Sequence, residues 1–182
     1  MPRHAGDARA LARTDMTIYA SEEGPPEEAI YAALGRLIYS FTQLEASLLN
    51  AIATALGDTD EAEIVVAGMN FRQAVDRFSV LYSRLEDIEF DGGLPAFCST
   101  LSTLNNERNR EIHSNWGFWG SGEPLRAKKS LRRNQGVAFS VESVNPEHLV
   151  ELAARMSTAA ETVYKLRSLY IEQRRSFNRD CE

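Results

Sequence analysis

Cysteine is nearly absent from this chain: there are 2 in 182 residues. Cys98 and Cys181 are too few for a disulfide-stapled secreted fold, and they read as free thiols in a reducing compartment. Histidine is almost as scarce, at 3. His4, His113 and His148 stand apart from one another and from the cysteines, so no metal-ligand spacing forms and no cofactor is expected. Long apolar runs are missing as well. None approaches the roughly 20 residues that cross a bilayer, and the N-terminus lacks the apolar stretch of a secretory signal, so no membrane partner is expected and the expected location is cytoplasmic. Positive charge is not in excess: 20 Lys and Arg face 26 Asp and Glu, a net charge of −6. This argues against nonspecific coating of nucleic acid.

What remains is an ordinary globular composition, 43% hydrophobic and 25% charged, in a length that buries roughly 70% of the unfolded surface as one domain. Residues 1–24 carry only scattered apolar positions and read as a flexible leader, with a domain over 25–177 and a short tail over 178–182. From Pro25 a helical stripe of Ile30, Leu34, Leu37, Ile38, Phe41, Leu44, Leu48, Leu49 and Ile52 runs to Leu56 and stops at Gly57. A shorter helix is expected around Ala62–Ala67. Asn70 with Gln73 spells a capping box for a third. After Asp91-Gly92-Gly93 a fourth runs from about Leu94 to Ser114. Residues from Trp116 to Val144 turn to glycine and then to alternating Val137, Phe139 and Val141, which reads as a small β-hairpin. Asn145 and Pro146 start the last helix. The expectation is a predominantly all-α bundle of about five helices with a hairpin before the last.

Two charges fall on apolar arcs. At 100° per residue, Arg108 lies inside the arc of Leu94, Phe97, Leu101, Leu104 and Ile112, and Glu45 lies near the middle of the first helix's arc. An unpaired buried charge costs several kcal/mol, so the arithmetic leads to the expectation that Glu45 and Arg108 meet. Asn109 and His113, four apart, share a face beside Arg108.

The run Arg108-Asn109-Arg110-Glu111-Ile112-His113 resembles the signature of HEPN-domain proteins: arginine, a polar residue, and a histidine after four to six intervening positions. Phe41-Thr42-Gln43-Leu44-Glu45 in the first helix and Trp116 after the histidine extend the likeness over about residues 28–170. Ser114 departs from it, since similar proteins often have glycine there. The resemblance implies a helical bundle, frequently a homodimer that brings two motifs together, and in many members metal-independent endoribonuclease activity. Some members are toxins restrained by an antitoxin, and others bind RNA or nucleotides without cutting.

For RNA cleavage without a metal, one group must take the 2′-OH proton, another must protonate the leaving oxygen, and positive charge must sit on the phosphate. An imidazole ordinarily titrates near 6.5, which suits His113 to proton transfer. Arg108 suits the phosphate, Asn109 its orientation, and Glu45 the placing of Arg108. A dimer supplies the second histidine. Arg126, Lys128, Lys129, Arg132 and Arg133 concentrate positive charge in the hairpin and, with Trp116, Phe118 or Trp119 as stacking surfaces, are candidate RNA contacts; a solvated strand face is the alternative.

Overall fold

Pro25 and Pro26, followed by Glu27 and Glu28 in the first turn, open a helix that runs to Leu56. The rings preset helical φ, and the carboxylates complement the N-terminal dipole. Helix α1 (Pro25–Leu56) ends where Gly57 takes φ 108°. In the computed structural model, which describes residues 25–85, 92–118, 123–132 and 136–180, four further helices follow. They are α2 (Asp60–Ala67), α3 (Phe71–Tyr82), α4 (Gly93–Ile112) and α5 (Pro146–Asp180). The expected leader over 1–24 lies outside the described residues. The tail expected from 178 does not separate as early as that, since α5 continues to Asp180. Neither glycine nor proline interrupts it there.

The local signals act as their chemistry requires. Asn70 Oδ1 accepts from the Gln73 amide and Gln73 Oε1 from the Asn70 amide, both at 3.0 Å, closing the capping box of α3. Thr59 caps α2 by accepting from the Ala62 amide at 3.3 Å. Gly92 precedes α4 with φ 78°, and a Cβ there would lie 2.6 Å from that of Ala96. Only glycine fits that position without strain.

Three side chain contacts set the relation of the two longest helices. Ser157 Oγ donates to Ser40 Oγ at 3.2 Å, Arg167 Nε to Thr54 Oγ1 at 2.7 Å, and the Tyr170 hydroxyl to the Ala55 carbonyl at 3.5 Å. Partner numbers rise together, so α1 and α5 run parallel. Between them and α4 lies the core, with Leu37, Leu44, Leu48, Leu101, Leu104, Leu149, Leu152 and Met156 essentially inaccessible. Each such side chain contributes roughly 1.5–3 kcal/mol on burial. Ile38, expected inward, is 47% exposed. On α3, Tyr82 stacks on Phe78 at 4.4 Å and donates its hydroxyl to the Ala51 carbonyl at 2.9 Å. Cys98 is a buried free thiol, and burial pushes its pKa up.

The expected hairpin is a three-stranded antiparallel sheet, β1 (Asn115–Phe118), β2 (Pro124–Arg132) and β3 (Gly136–Ser143), in that order. The extra strand follows α4 after only His113 and Ser114. Its register places Trp116 opposite Arg126 and Arg126 opposite Glu142. These three side chains therefore share one face of the sheet. Among the described residues, no helix is long and apolar enough to cross a membrane.

Candidate functional site

Arg108 lies on the last two turns of α4, where the helix passes over α1. Its guanidinium carbon sits 4.2 Å from the centroid of the buried Phe41 ring, and Nη1 donates to Asn109 Oδ1 at 2.8 Å. Nε is enclosed and has no hydrogen-bond partner. The expected ion pair with Glu45 is not formed: among the described residues, no carboxylate lies within 4.0 Å of Arg108. Phe41 and Glu45 are one turn apart on α1, and the ring, not the carboxylate, meets the guanidinium. Glu45 is only half-buried, on the shoulder of the stripe.

His113 caps α4 with φ −95° and ψ 10°, its amide donating to the Asn109 carbonyl at 3.1 Å and its side chain exposed. Asn109 thus touches both ends of the motif, through its side chain to Arg108 and its backbone to His113. Ser114 does not disturb the turn. Among the described non-glycine residues only Asp58 has positive φ, and Ser114 Oγ donates back to the Arg110 carbonyl at 2.5 Å. Glycine is not required there.

The charge that is fully buried is Glu111, at 0% exposure, a residue the sequence reading passed over. Arg126 Nη1 donates to both of its carboxylate oxygens, at 2.6 Å to Oε2, and Arg110 Nε donates to Oε1 at 3.1 Å. Arg126, 7% exposed, also reaches Glu142 across the strand pair through Nη2. His148, on the first turn of α5, brings Nε2 to 3.7 Å from Glu111 Oε1. Its isolation in sequence therefore does not persist in space. Burial works against charge on Arg126, but its hydrogen bonds to Glu111 and Glu142 outweigh burial and hold its pKa above the ordinary value. The same hydrogen bond holds Glu142 below the usual carboxylate range. A sequence signal existed: Glu111 lies seven residues after Leu104 and so continues the inward ridge of α4.

This arrangement removes Arg126 from the expected RNA track. Arg126 is engaged by two carboxylates and turned inward, so it is not available to a phosphate backbone. Trp116 is half-buried against the core and donates Nε1 to the Glu111 carbonyl at 2.9 Å, and Phe118 packs against the core too. Both rings are only partly exposed. Lys128 is exposed. Lys129 and Arg132 belong to β2, with side chains outside the described set, and Arg133 and Trp119 lie outside the described residues.

Comparison with family models, with curated proteins and with solved structures finds no match to this chain.

Proposed function

We propose that this chain is a HEPN-type, metal-independent endoribonuclease that acts as a cytoplasmic homodimer, with Arg108, Asn109 and His113 as its working residues. The observation that carries the reading is the Arg108 guanidinium. It is half-buried with Nε enclosed, seated on Phe41, oriented by Asn109, and has no carboxylate partner among the described residues. A cation in that state lacks a counter-charge, and a phosphodiester supplies one with oxygens spaced for a bidentate grip. Arg108 holds the phosphate and offsets charge that grows as the ribose 2′-oxygen attacks.

The bond from the 2′-oxygen to phosphorus forms while the bond to the 5′-oxygen breaks, leaving a 2′,3′-cyclic phosphate and a 5′-hydroxyl. One His113 takes the 2′-OH proton. A second copy's motif, brought across a two-fold axis, protonates the leaving oxygen, since a single imidazole does not serve both steps at once. A toxin or defence effector of this kind has an antitoxin or other regulatory protein as its partner. The test is incubation of purified protein with RNA in the presence of chelator, comparing wild type with His113→Ala. A folded variant should lose about 10²–10⁴-fold in cleavage rate. Cleavage by the variant at the wild-type rate rejects the mechanism.

One observation favours a second reading. The His113 side chain is exposed and no group among the described residues orients it, whereas a proton-transfer imidazole is usually held by a hydrogen bond. This supports a catalytically silent dimeric module that uses Arg108 to bind RNA, a nucleotide or a protein partner. Arg108-dependent RNA binding without cleavage on any RNA would select it.

A further inference from the structure

We infer a second anion-binding site, distant from Arg108, in the groove where α1 ends beside α5, with the chemistry to hold the phosphate ester of a nucleotide. The groove has a volume of about 380 Å³ and is walled by Gly57, Asp58, Tyr170, Ile171, Arg174 and Arg175. That lies within the size range of small-ligand sites, roughly 300–1,000 Å³, in which a few polar groups accompany an apolar wall.

Arginines beside a helix C-terminus ordinarily serve its carbonyls. Here the Ala53, Thr54 and Ala55 carbonyls of α1 are already engaged. The Gly57 amide donates to the Thr54 carbonyl at 3.1 Å and the Asp58 amide to the Ala53 carbonyl at 2.9 Å. The Tyr170 hydroxyl reaches the Ala55 carbonyl, and Arg167 Nε takes the Thr54 hydroxyl. Arg174 and Arg175 are left exposed at the groove, and among the described residues no carboxylate lies within 4.0 Å of either, Asp58 included. Two adjacent guanidinium groups without acceptors among the described residues match a phosphate's oxygens.

Composition points the same way. From Arg167 to Arg179 the chain carries four arginines against one glutamate, in a protein of net charge −6. Ile171 supplies the apolar wall, and Tyr170, whose ring packs on Tyr82 at 5.0 Å, supplies an anchored aromatic. The base lies along Tyr170 and Ile171, and the phosphate meets Arg174 and Arg175. Phe41, beneath Arg108, and Thr54 are thirteen residues apart on α1, about 20 Å along the axis. The groove therefore does not depend on the nuclease reading. A free mononucleotide and the 5′-phosphorylated end of an RNA strand present the same chemistry.

The test is calorimetric titration of the full chain with AMP, and with an RNA trinucleotide bearing or lacking a 5′-phosphate. Wild type, Arg174→Gln/Arg175→Gln and Arg108→Ala are compared. Wild type should bind AMP at one site, and the double variant should lose about tenfold or more, the scale of one lost charge-assisted hydrogen bond. Its thermal midpoint should not move, because both side chains are exposed. Arg108→Ala should bind AMP as wild type does. In Arg108→Ala, which removes the phosphate-binding cation of the proposed nuclease site, preference for the 5′-phosphorylated trinucleotide over AMP assigns the groove to strand ends; the reverse assigns it to free nucleotide. Absence of saturable AMP binding, or equal affinity in the double variant, overturns the site. Loss of AMP binding in Arg108→Ala alone overturns it too, since the ligand would then belong to the Arg108 site.

Discussion

Arg108 and Glu111 stand three residues apart on α4, yet the protein treats them in opposite ways. Glu111 is sealed from solvent and surrounded by donors from β2 and from its own helix, with an imidazole from α5 close by. Arg108 is half-buried with an aromatic ring beneath it, one amide beside it and, among the described residues, no carboxylate within 4.0 Å. The first arrangement joins the sheet to the bundle. The second leaves electrostatic demand unmet, which is what a site for an anion requires. Removal of charge should therefore damage folding at one position and ligand binding at the other.

The largest effect is expected from Arg126→Ala. It leaves Glu111 buried without its main partner, and the loss should be about 3–5 kcal/mol in denaturant-induced unfolding. Replacing Glu111 and Arg126 together by Leu and Met should bring stability back towards wild type, because a buried pair exchanged for apolar packing is commonly neutral. If the single variant unfolds like wild type, the structural role of the cluster is wrong.

Tyr82 tests the same idea with a neutral group. Its hydroxyl is buried and bonded to Ala51, and burial, with the neighbouring Tyr170, pushes its pKa well above the ordinary tyrosine range. A raised folded-state pKa means that its contribution is intact below the unfolded value, about pH 10, and is lost as pH rises above it. Thermal midpoints recorded from pH 8 to 11 should fall more steeply in wild type than in Tyr82→Phe. At neutral pH that variant should lose roughly 0.5–1.5 kcal/mol.

Arg108→Ala should cost less, about 0.5–1 kcal/mol for the contact with Phe41, while RNA affinity drops sharply. Unfolding and filter-binding measurements on one preparation separate the two effects. The smallest change is expected at Glu45→Ala, within about 0.5 kcal/mol. A loss near that of Arg126→Ala would restore the ion pair with Arg108 that periodicity suggests.

Much of the fold was legible because its signals are local. Pro25 and Gly57 bound α1, Asn70 with Gln73 start α3, and Asn145 accepts from the Glu147 amide at 2.9 Å as α5 begins. Strand β1 was harder to see: four residues including a glycine carry no alternation of their own and become a strand by pairing with β2. The site divides the same way. Periodicity turned Arg108 towards the core, but an arc specifies direction and not partner, so Phe41 was indistinguishable from Glu45. Glu111 was hidden by its charge, since inward placement is tolerated only when Arg126 arrives from 15 residues further along the chain.

The sequence by itself determined most helix boundaries to within a few residues, the main inward ridges, and that Arg108, Asn109 and His113 gather at the end of α4. Capping, periodicity and backbone preference act within a few residues, so they are written in neighbouring letters. Only the tertiary structure decided which charges are neutralised. It withdrew Arg126 from the expected RNA track, gave Glu111 its partners, left Arg108 on an aromatic ring, and placed Arg174 and Arg175 beside a helix end at which the Ala53, Thr54 and Ala55 carbonyls were already taken. Electrostatic pairing depends on distances of a few ångströms between segments remote in the chain, and packing sets those distances.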